Sequence, residues 1–312
     1  MNDYLLYFSS PSSPSVLINT DTKISDIGNG GVVICFCIFS ALSASNSGAI
    51  HYSSPANILI SDCIFYQCYS LNLGGAFSFK NLGIQAVVKR ICGFKCHSGT
   101  YGQISYLLMS TNKINYLMES SISKCSYLSS SNGDSYYYDG GDPEWTNINS
   151  SCNMGKLYIG LSLVRVIKSK INFCLISSNY LSNSISIELW GGNNLISYCN
   201  IVNNTQETTN NGIVTSELSS DSVFYSCIFL YNKKNSLFCT LTGKITLNMV
   251  YSDDYSYTLT KPSFKQTFGT TNTHDLTFFS TAYCISNNRP TISIQIPHHP
   301  QLFLCFIFVT CH

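Results

Sequence analysis

The apolar positions of this chain recur in one phrase, which is clearest at 58–79, ILISDCIFYQCYSLNLGGAFSF. Counted from a central cysteine, one apolar residue lies three positions before it and another lies two positions after it. Six copies of this frame are centred on Cys37, Cys63, Cys125, Cys174, Cys199 and Cys227. Looser copies surround Cys92 and Cys152, which makes about eight units of about 22 to 33 residues. Because a unit of this length cannot bury its own apolar face, the repeat predicts a solenoid of stacked units.

The local period within each unit identifies the kind of solenoid. Apolar residues alternate or form short runs, as at 185–187 (ISI) and 223–225 (VFY), and they are often β-branched or aromatic. No window carries an i, i+3, i+4, i+7 stripe of helical length, and the frame of leucine-rich repeats is missing. We therefore predict an all-β chain, a single-stranded right-handed parallel β-helix of roughly eight coils.

Stacking makes equivalent residues of successive coils neighbours, about 4.8 Å apart. Phe39 is then expected to lie beside Phe65. Asn179, Asn204 and Asn232 each lie five positions after a frame cysteine, so they are expected to form a ladder whose side-chain amides bond one another. Asparagine suits such a corner because it tolerates left-handed backbone.

Glycines are predicted to mark a tight turn into the next strand. Gly48 and Gly74 each lie 11 residues after a frame cysteine, at what the spacing indicates to be equivalent places. A glycine there accommodates backbone that a side chain would obstruct.

The clear frame divides the chain into three parts. Residues 32–250 are the predicted β-helix, 1–31 a predicted N-terminal lead-in or cap, and 251–312 a predicted irregular C-terminal tail or cap. The start lacks the basic residues and cleavage pattern of a signal peptide. The apolar run at 302–309 is shorter than the roughly 20 residues that a membrane-spanning helix needs. We expect no signal peptide, no anchor and no complete transmembrane segment in this chain.

Composition narrows the function classes. Charged residues make up 11% of the chain, with a net charge of +1, and arginine occurs only at 90, 165 and 289. A nucleic-acid-binding protein needs a basic footprint on its surface. We therefore expect no nucleic-acid partner.

The 15 cysteines have two readings. They form disulfides between coils in an oxidised, secreted protein, or they form a reduced column in which cysteine acts as a small hydrophobe. We favour the column, because the six frame cysteines share one repeat position. The groups Cys35/Cys37, Cys63/Cys68 and Cys92/Cys96/His97 lack the paired spacing of zinc modules. We expect no metal and no cofactor.

Carboxylates concentrate in one segment, 129–151, SSSNGDSYYYDGGDPEWTNINSS. They are Asp134, Asp139, Asp142 and Glu144. A calcium or sugar site there is conceivable because hard cations want several carboxylate oxygens, but we favour a solvated corner loop. The tyrosines at 136–138 either stack on sugars or pack at the corner or in the core.

No catalytic residue stands out elsewhere. Asp62, Asp221 and the pair Asp253 and Asp254 have no evident partner at the same repeat position, and no histidine lies in a suggestive motif. A β-helix hydrolase needs paired carboxylates, and a lyase needs acidic ligands beside a base. The candidates for an enzyme are therefore Asp139, Asp142 and Glu144, and their convergence in a groove beside Lys or Arg would favour that alternative.

Three short phrases carry a family resemblance: GGAF at 74–77, SGAI at 47–50 and FLYN at 229–232. Over residues 30–250 the chain resembles right-handed parallel β-helix repeat proteins of the pectate-lyase-like superfold. More narrowly, it resembles bacterial polymorphic outer-membrane proteins and surface proteins of trichomonad protists. The resemblance implies a noncatalytic adhesion-type protein, at the cell surface or secreted, with host-cell, glycan or protein ligands. The superfold also hosts polysaccharide lyases and glycosidases, which is the alternative.

Overall fold

The computed structural model describes residues 6–8, 15–18, 22–25, 31–81, 85–110, 113–125, 135–155, 160–181, 186–207, 212–234, 236–267 and 273–276. Within these ranges the regular secondary structure is nearly all strand, and the strands of each sheet pair in parallel. The chain forms a parallel β-solenoid of about eight turns, which confirms the fold that the repeat predicted. From residue 32 to 244 one turn takes between 23 residues (Asp221 to Lys244) and 31 residues (Ser105 to Tyr136).

Each full turn contributes to three faces, with strands numbered in chain order. The first face contains β1 (Ser15–Ile18), β3 (Val32–Cys35), β7 (Ile58–Ser61), β11 (Ala86–Lys89), β15 (Ile114–Ser123), β17 (Asp142–Ser151), β20 (Lys168–Asn172), β24 (Asn193–Ser197), β28 (Asp221–Tyr225), β31 (Lys244–Ser252) and β33 (Ser263–Thr267). The second face takes the ends of β15, β17 and β31 and adds β4 (Ile38–Ser40), β8 (Ile64–Tyr66), β12 (Cys92–Phe94), β21 (Leu175–Ser177), β25 (Asn200–Val202) and β29 (Ile228–Leu230).

The third face is a separate ten-stranded sheet. It contains β2 (Ile24–Ser25), β6 (Ile50–Tyr52), β10 (Phe77–Asn81), β14 (Ser105–Met109), β16 (Tyr136–Asp139), β19 (Leu161–Val164), β23 (Ile187–Trp190), β27 (Val214–Glu217), β30 (Phe238–Thr240) and β32 (Tyr257–Leu259). Two short ladders lie between the second and third faces: β5 (Ser43–Ala44), β9 (Tyr69–Ser70) and β13 (His97–Ser98), then β18 (Met154–Gly155), β22 (Tyr180–Leu181) and β26 (Thr205–Gln206).

Two corners in each turn are made by a single residue in left-handed backbone. The first corner separates the first and second faces, at Phe36, Asp62, Arg90, Glu119, Asn147, Phe173, Tyr198, Ser226 and Met249. The second corner follows the second face, at Ala41, Gln67, Lys95, Lys124, Cys152, Ser178, Asn203 and Tyr231. All have φ between 48° and 56°, a conformation that costs a non-glycine residue roughly 1–2 kcal/mol. The same bend therefore recurs in every coil against local preference, which shows that stacking imposes it.

The residue after each corner points into the core. After the first corner the inward column is Cys37, Cys63, Ile91, Ser120, Ile148, Cys174, Cys199, Cys227 and Val250. Its cysteines are buried thiols that form no disulfide, in agreement with the favoured interpretation of cysteine as a small hydrophobe. Cys92 and Cys152 lie outside this column, and each of them belongs to a disulfide.

The predicted place of Cys125 in this column is wrong. Cys125 follows the second corner at Lys124, in the column of Cys68, Cys96 and Asn153. Ser120 takes the first-column position and donates its hydroxyl to the carbonyl of Met118 at 2.7 Å. The thiols of frame cysteines donate to the carbonyl two residues earlier in the same way, so serine can replace cysteine at this position. Because the cysteine is missing there, the sequence does not reveal which residue of this coil takes the position.

The asparagine ladder is confirmed. Asn179 donates its side-chain amide to Oδ1 of Asn204 at 3.0 Å, and Asn204 donates to Oδ1 of Asn232 at 3.0 Å. Asn153 extends the ladder by donating its backbone N–H to Asn179 Oδ1 at 2.9 Å. The ladder satisfies polar groups inside the second corner, where they are buried from water.

Aromatic stacking is also confirmed, since the rings of Phe39 and Phe65 stack at 5.1 Å. The predicted equivalence of Gly48 with Gly74 is wrong by one residue: Gly48 lies opposite Gly75. Ser47 takes the left-handed place of Gly74, because the preceding loop is one residue shorter in that coil. A Cβ on Gly75 would overlap the carbonyl oxygen of Gln103.

The pairing ladders extend beyond residues 32–250 at both ends. β1 pairs with β3 and β2 with β6, while β32 pairs with β30 and β33 with β31. Phe8 packs on the outside of the first face, against Val33, Leu59 and Val87. No helix in the described part of the chain has the length and apolar composition to cross a bilayer. The apolar run at 302–309 lies outside the described residues.

Candidate functional site

The predicted acidic corner loop is wrong for its described part. Asp139 ends β16, while Asp142 and Glu144 belong to the start of β17. Only Gly140 and Gly141, with φ of 79° and 67°, turn between the two strands. The alternation of buried and outward residues on both sides of these glycines identifies strands, although the run of polar residues resembled a loop. Asp134 lies outside the described residues.

Each of these carboxylates has its own cation one coil further along. Asp139 holds Arg165 through both carboxylate oxygens, with Nε to Oδ1 at 2.8 Å. Asp142 lies 3.5 Å from Nζ of Lys168, and Glu144 lies 3.5 Å from Nζ of Lys170; both distances join a carboxylate oxygen to the ammonium. All three partners are 26 residues away, so the segment forms rungs of ion pairs between coils and does not converge on one centre.

Asp62 also has a partner, contrary to the prediction. Its carboxylate accepts two hydrogen bonds from Arg90, at 2.6 and 2.7 Å, and Arg90 Nη1 lies 3.8 Å from Glu119 Oε2. All three occupy the first corner, one coil apart. Misplacing Cys125 assigned Lys124 to the position that Glu119 occupies. The loose copy was centred on Cys92, although Ile91 is the inward residue after the corner, and this concealed Arg90.

We expect Arg90→Met to lower the free energy of unfolding by about 3 kcal/mol, because it leaves the buried Asp62 carboxylate without a partner. Adding Asp62→Asn should restore much of the loss, since the unpaired charge is then removed. Denaturant titration of the four forms of this double-mutant cycle measures the coupling. Strictly additive effects would show that the pair contributes nothing.

The arrangement that sequence reasoning missed lies on the outside of the third face. We name it the acid–indole patch, and it comprises Ser162, Glu188, Trp190, Thr215 and Glu217. Alternation in β19, β23 and β27 turns these residues outward, while their neighbours, such as Leu161, Ile187 and Val214, enter the core. The available signal was the polar residue at alternate positions of three strands about one period apart.

The two carboxyl groups of the patch are diagonal neighbours. Glu188 pairs with Thr215 across the strands and Trp190 pairs with Glu217, so Glu217 is one coil and two residues away from Glu188. Glu188 is 4% exposed and accepts a hydrogen bond from Ser162 Oγ at 2.5 Å. Burial raises the pKa of Glu188 to about 7. The Ser162 hydrogen bond lowers this pKa, and the negative charge of Glu217 raises it further. Burial also raises the pKa of Glu217.

Two further polar groups of the patch are buried without a hydrogen-bond partner. They are the hydroxyl of Thr215 and the indole N–H of Trp190. Leaving a buried donor or acceptor unpaired costs roughly 1–3 kcal/mol. The patch therefore holds polar groups whose bonding capacity the fold itself does not use.

Tyrosines continue the same outer column. Tyr106, Tyr137 and Ser162 are aligned across β14, β16 and β19, and Ser162 is aligned with Glu188. The rings of Tyr106 and Tyr137 stack at 5.0 Å, and both are half-buried. Tyr136 and Tyr138 instead pack in the core against Trp145. The tyrosine run is thus divided between surface and core, as strand alternation requires.

Within the described residues, no group of three His, Cys, Asp or Glu side chains is arranged to hold a metal ion. No protein-family model, no curated protein and no solved structure matches this chain. A functional proposal therefore rests on the faces of the solenoid and on the chemistry of the side chains they carry.

Proposed function

We propose that this protein is a noncatalytic scaffold of the cell surface, or a secreted one, that presents an extended face to a ligand. Its fold is then the right-handed parallel β-helix of the pectate-lyase-like superfold. The observation that carries the proposal is the outer column of the third face, where half-buried tyrosines lead into the acid–indole patch. Aromatic rings and a few placed polar groups are typical of ligand sites.

The charge pattern supports a scaffold. The carboxylates predicted as catalytic candidates, Asp139, Asp142 and Glu144, are each held by a base of the next coil. Ion pairs of this kind align neighbouring coils and place each of the three carboxylates beside its own cation, so they do not form one acidic centre. The resemblance of the repeats to surface β-helix proteins supports the location.

A carbohydrate-active enzyme is the second candidate, and one observation favours it. Glu188 and Glu217 are neighbouring carboxyl groups, and the pKa of Glu188 lies near neutrality. Pairs of carboxyl groups perform glycoside hydrolysis, one of them as an acid with a raised pKa. Release of new reducing ends from an oligosaccharide by the purified protein would establish this alternative in place of the scaffold.

Protease treatment of intact cells that express the full-length gene tests the proposed location. We expect the protein to be degraded while an intracellular marker stays intact, because a displayed solenoid exposes its connecting loops to the medium. Detection uses an antibody against the purified chain. Protection of the protein until the cells are lysed would overturn the surface role.

A further inference from the structure

We infer that the acid–indole patch and the tyrosines beside it form a binding site for a neutral oligosaccharide. The inference rests on the proposed function, because it names the ligand class of the same binding face. Three independent features of the third face lead to it: unpartnered buried polar groups, a carboxyl pair whose ionisation burial opposes, and two stacked tyrosine rings in the same outer column.

The unpartnered groups come first. Thr215 is fully buried, and its hydroxyl has no hydrogen-bond partner, as is also true of the Trp190 indole N–H. Buried polar groups in folded proteins are nearly always paired. Other unpaired groups of the described residues, such as the Tyr136 and Tyr138 hydroxyls, lie in the core, whereas these two lie together on an outer face, where a ligand can supply the partner. Both can donate a hydrogen bond, and sugar hydroxyls and ring oxygens accept one. Trp190 and Glu217 are half-buried and form the rim of the patch above this floor.

The carboxyl groups favour an uncharged ligand. Near neutral pH the Glu188 carboxyl is partly protonated, so it both donates and accepts hydrogen bonds, as hydroxyl groups do. Asp139 and Arg165 neutralise each other one coil beyond Ser162, and Glu217 is the neighbouring charge on the other side. An acidic ligand would meet the Glu217 carboxylate. A cationic ligand would find one carboxylate, Glu217, because burial opposes the charge on Glu188.

The aromatic row indicates a ligand several rings long. Tyr106, Tyr137, Ser162, Glu188 and Thr215 are aligned on five successive strands of the third face. At about 4.8 Å per strand the row is about 19 Å long. Half-buried tyrosine rings present an apolar body and a polar hydroxyl, which suits the C–H faces and hydroxyls of sugar rings. A single sugar ring would not reach from the half-buried rings of Tyr106 and Tyr137 to the half-buried rim at Trp190 and Glu217.

The test uses the purified full chain at pH 7 on a printed array of neutral, acidic and amino oligosaccharides. A neutral oligosaccharide that binds is then titrated in a calorimeter. We expect Trp190→Ala and Thr215→Val each to weaken binding at least tenfold. Glu144→Gln and Phe173→Ala, on the first face and the first corner, are matched controls and should bind like the parent.

Thr215→Val separates binding from folding. Removing the unpaired hydroxyl should raise the melting temperature by about 1–3 °C, since the buried group is no longer unsatisfied. A rise in stability together with a loss of affinity has no explanation in a purely structural role. Rescue of affinity by Thr215→Ser, which restores the hydroxyl, completes the comparison.

Three results would overturn the inference. They are no binding of any neutral oligosaccharide, preference for acidic or amino sugars, and binding that the two patch variants leave unchanged. If protease degrades the protein on intact cells but the protein binds no neutral sugar, this inference is wrong and the surface role stands. A protein that binds neutral sugars but stays protected inside cells would sink the surface role alone.

Discussion

Replacing Asn204 by alanine is expected to lower the free energy of unfolding by about 3–4 kcal/mol, the largest single effect that we anticipate. The Asn204 side chain is fully buried. Its Oδ1 accepts from the backbone N–H and the side-chain amide of Asn179, and its Nδ2 donates to Asn232 Oδ1 and to the carbonyl of Ile176. Alanine leaves these partners buried and unpaired. Urea denaturation followed by circular dichroism measures the loss.

Asn203→Gly is the matched control. Asn203 precedes Asn204 in the chain, points outward at the second corner and has left-handed backbone that glycine adopts without strain. Its side chain makes one exposed hydrogen bond, to Ser178 Oγ. We expect a loss below about 1 kcal/mol for this variant. Equal losses of unfolding free energy at both positions would show that the buried ladder stabilises the protein no more than one exposed hydrogen bond does.

Glu188→Gln is expected to stabilise the protein above neutral pH and to remove a pH dependence. The pKa of Glu188 is about 7 in the folded chain, against an ordinary value of 4.5. The folded state therefore binds the proton more tightly, and this stabilisation is fully present below pH 4.5 and is lost as the pH rises to about 7. The loss is about 3 kcal/mol, from about 1.4 kcal/mol for each unit of pKa difference. Denaturation of parent and variant at pH 4.5, 5.5, 6.5 and 8 measures it.

Ser162→Ala provides the opposing variant. The Ser162 hydroxyl bonds the Glu188 carboxylate and holds its pKa down, so its removal should raise that pKa further and extend the loss of stability to higher pH. Parent, Glu188→Gln and Ser162→Ala should therefore form an ordered series at pH 8, with glutamine the most stable. If the free energies of unfolding of the parent and of the glutamine variant change with pH in parallel, ionisation of Glu188 does not destabilise the folded protein.

The repeat length of the chain was predictable because the same positions are buried in successive coils. The inward position of Ile60 is apolar in every coil from Ile34 to Leu247, and those of Phe65 and Cys63 are apolar in most coils, so their spacing is visible in one sequence. The asparagine ladder was predictable for the same reason, since a buried amide needs an equivalent amide in the next coil. Outward residues obey no such rule, and the acid–indole patch was missed.

Which residues of a coil take the corner and the inward positions was predictable only where the coil has its frame cysteine. Ser120 makes the bond of a frame cysteine, so the frame was transferred to Cys125, which lies at the other corner. Turns differ by up to eight residues in length, from 23 to 31, and a slip of one residue exchanges inside for outside. Arg90 was not matched to Asp62 because its coil was centred on Cys92, although Ile91 takes the inward position after the corner.

By itself the sequence determined the period, the all-β class, the buried cysteine column and the asparagine ladder. These follow from the burial and hydrogen bonding that every coil must repeat. Only the tertiary structure decided which outward residues meet, including the Asp62–Arg90 and Asp139–Arg165 pairs and the neighbours Glu188 and Glu217. The physical reason is distance along the chain, because these contacts join residues about one variable turn apart and no local preference records the length of that turn.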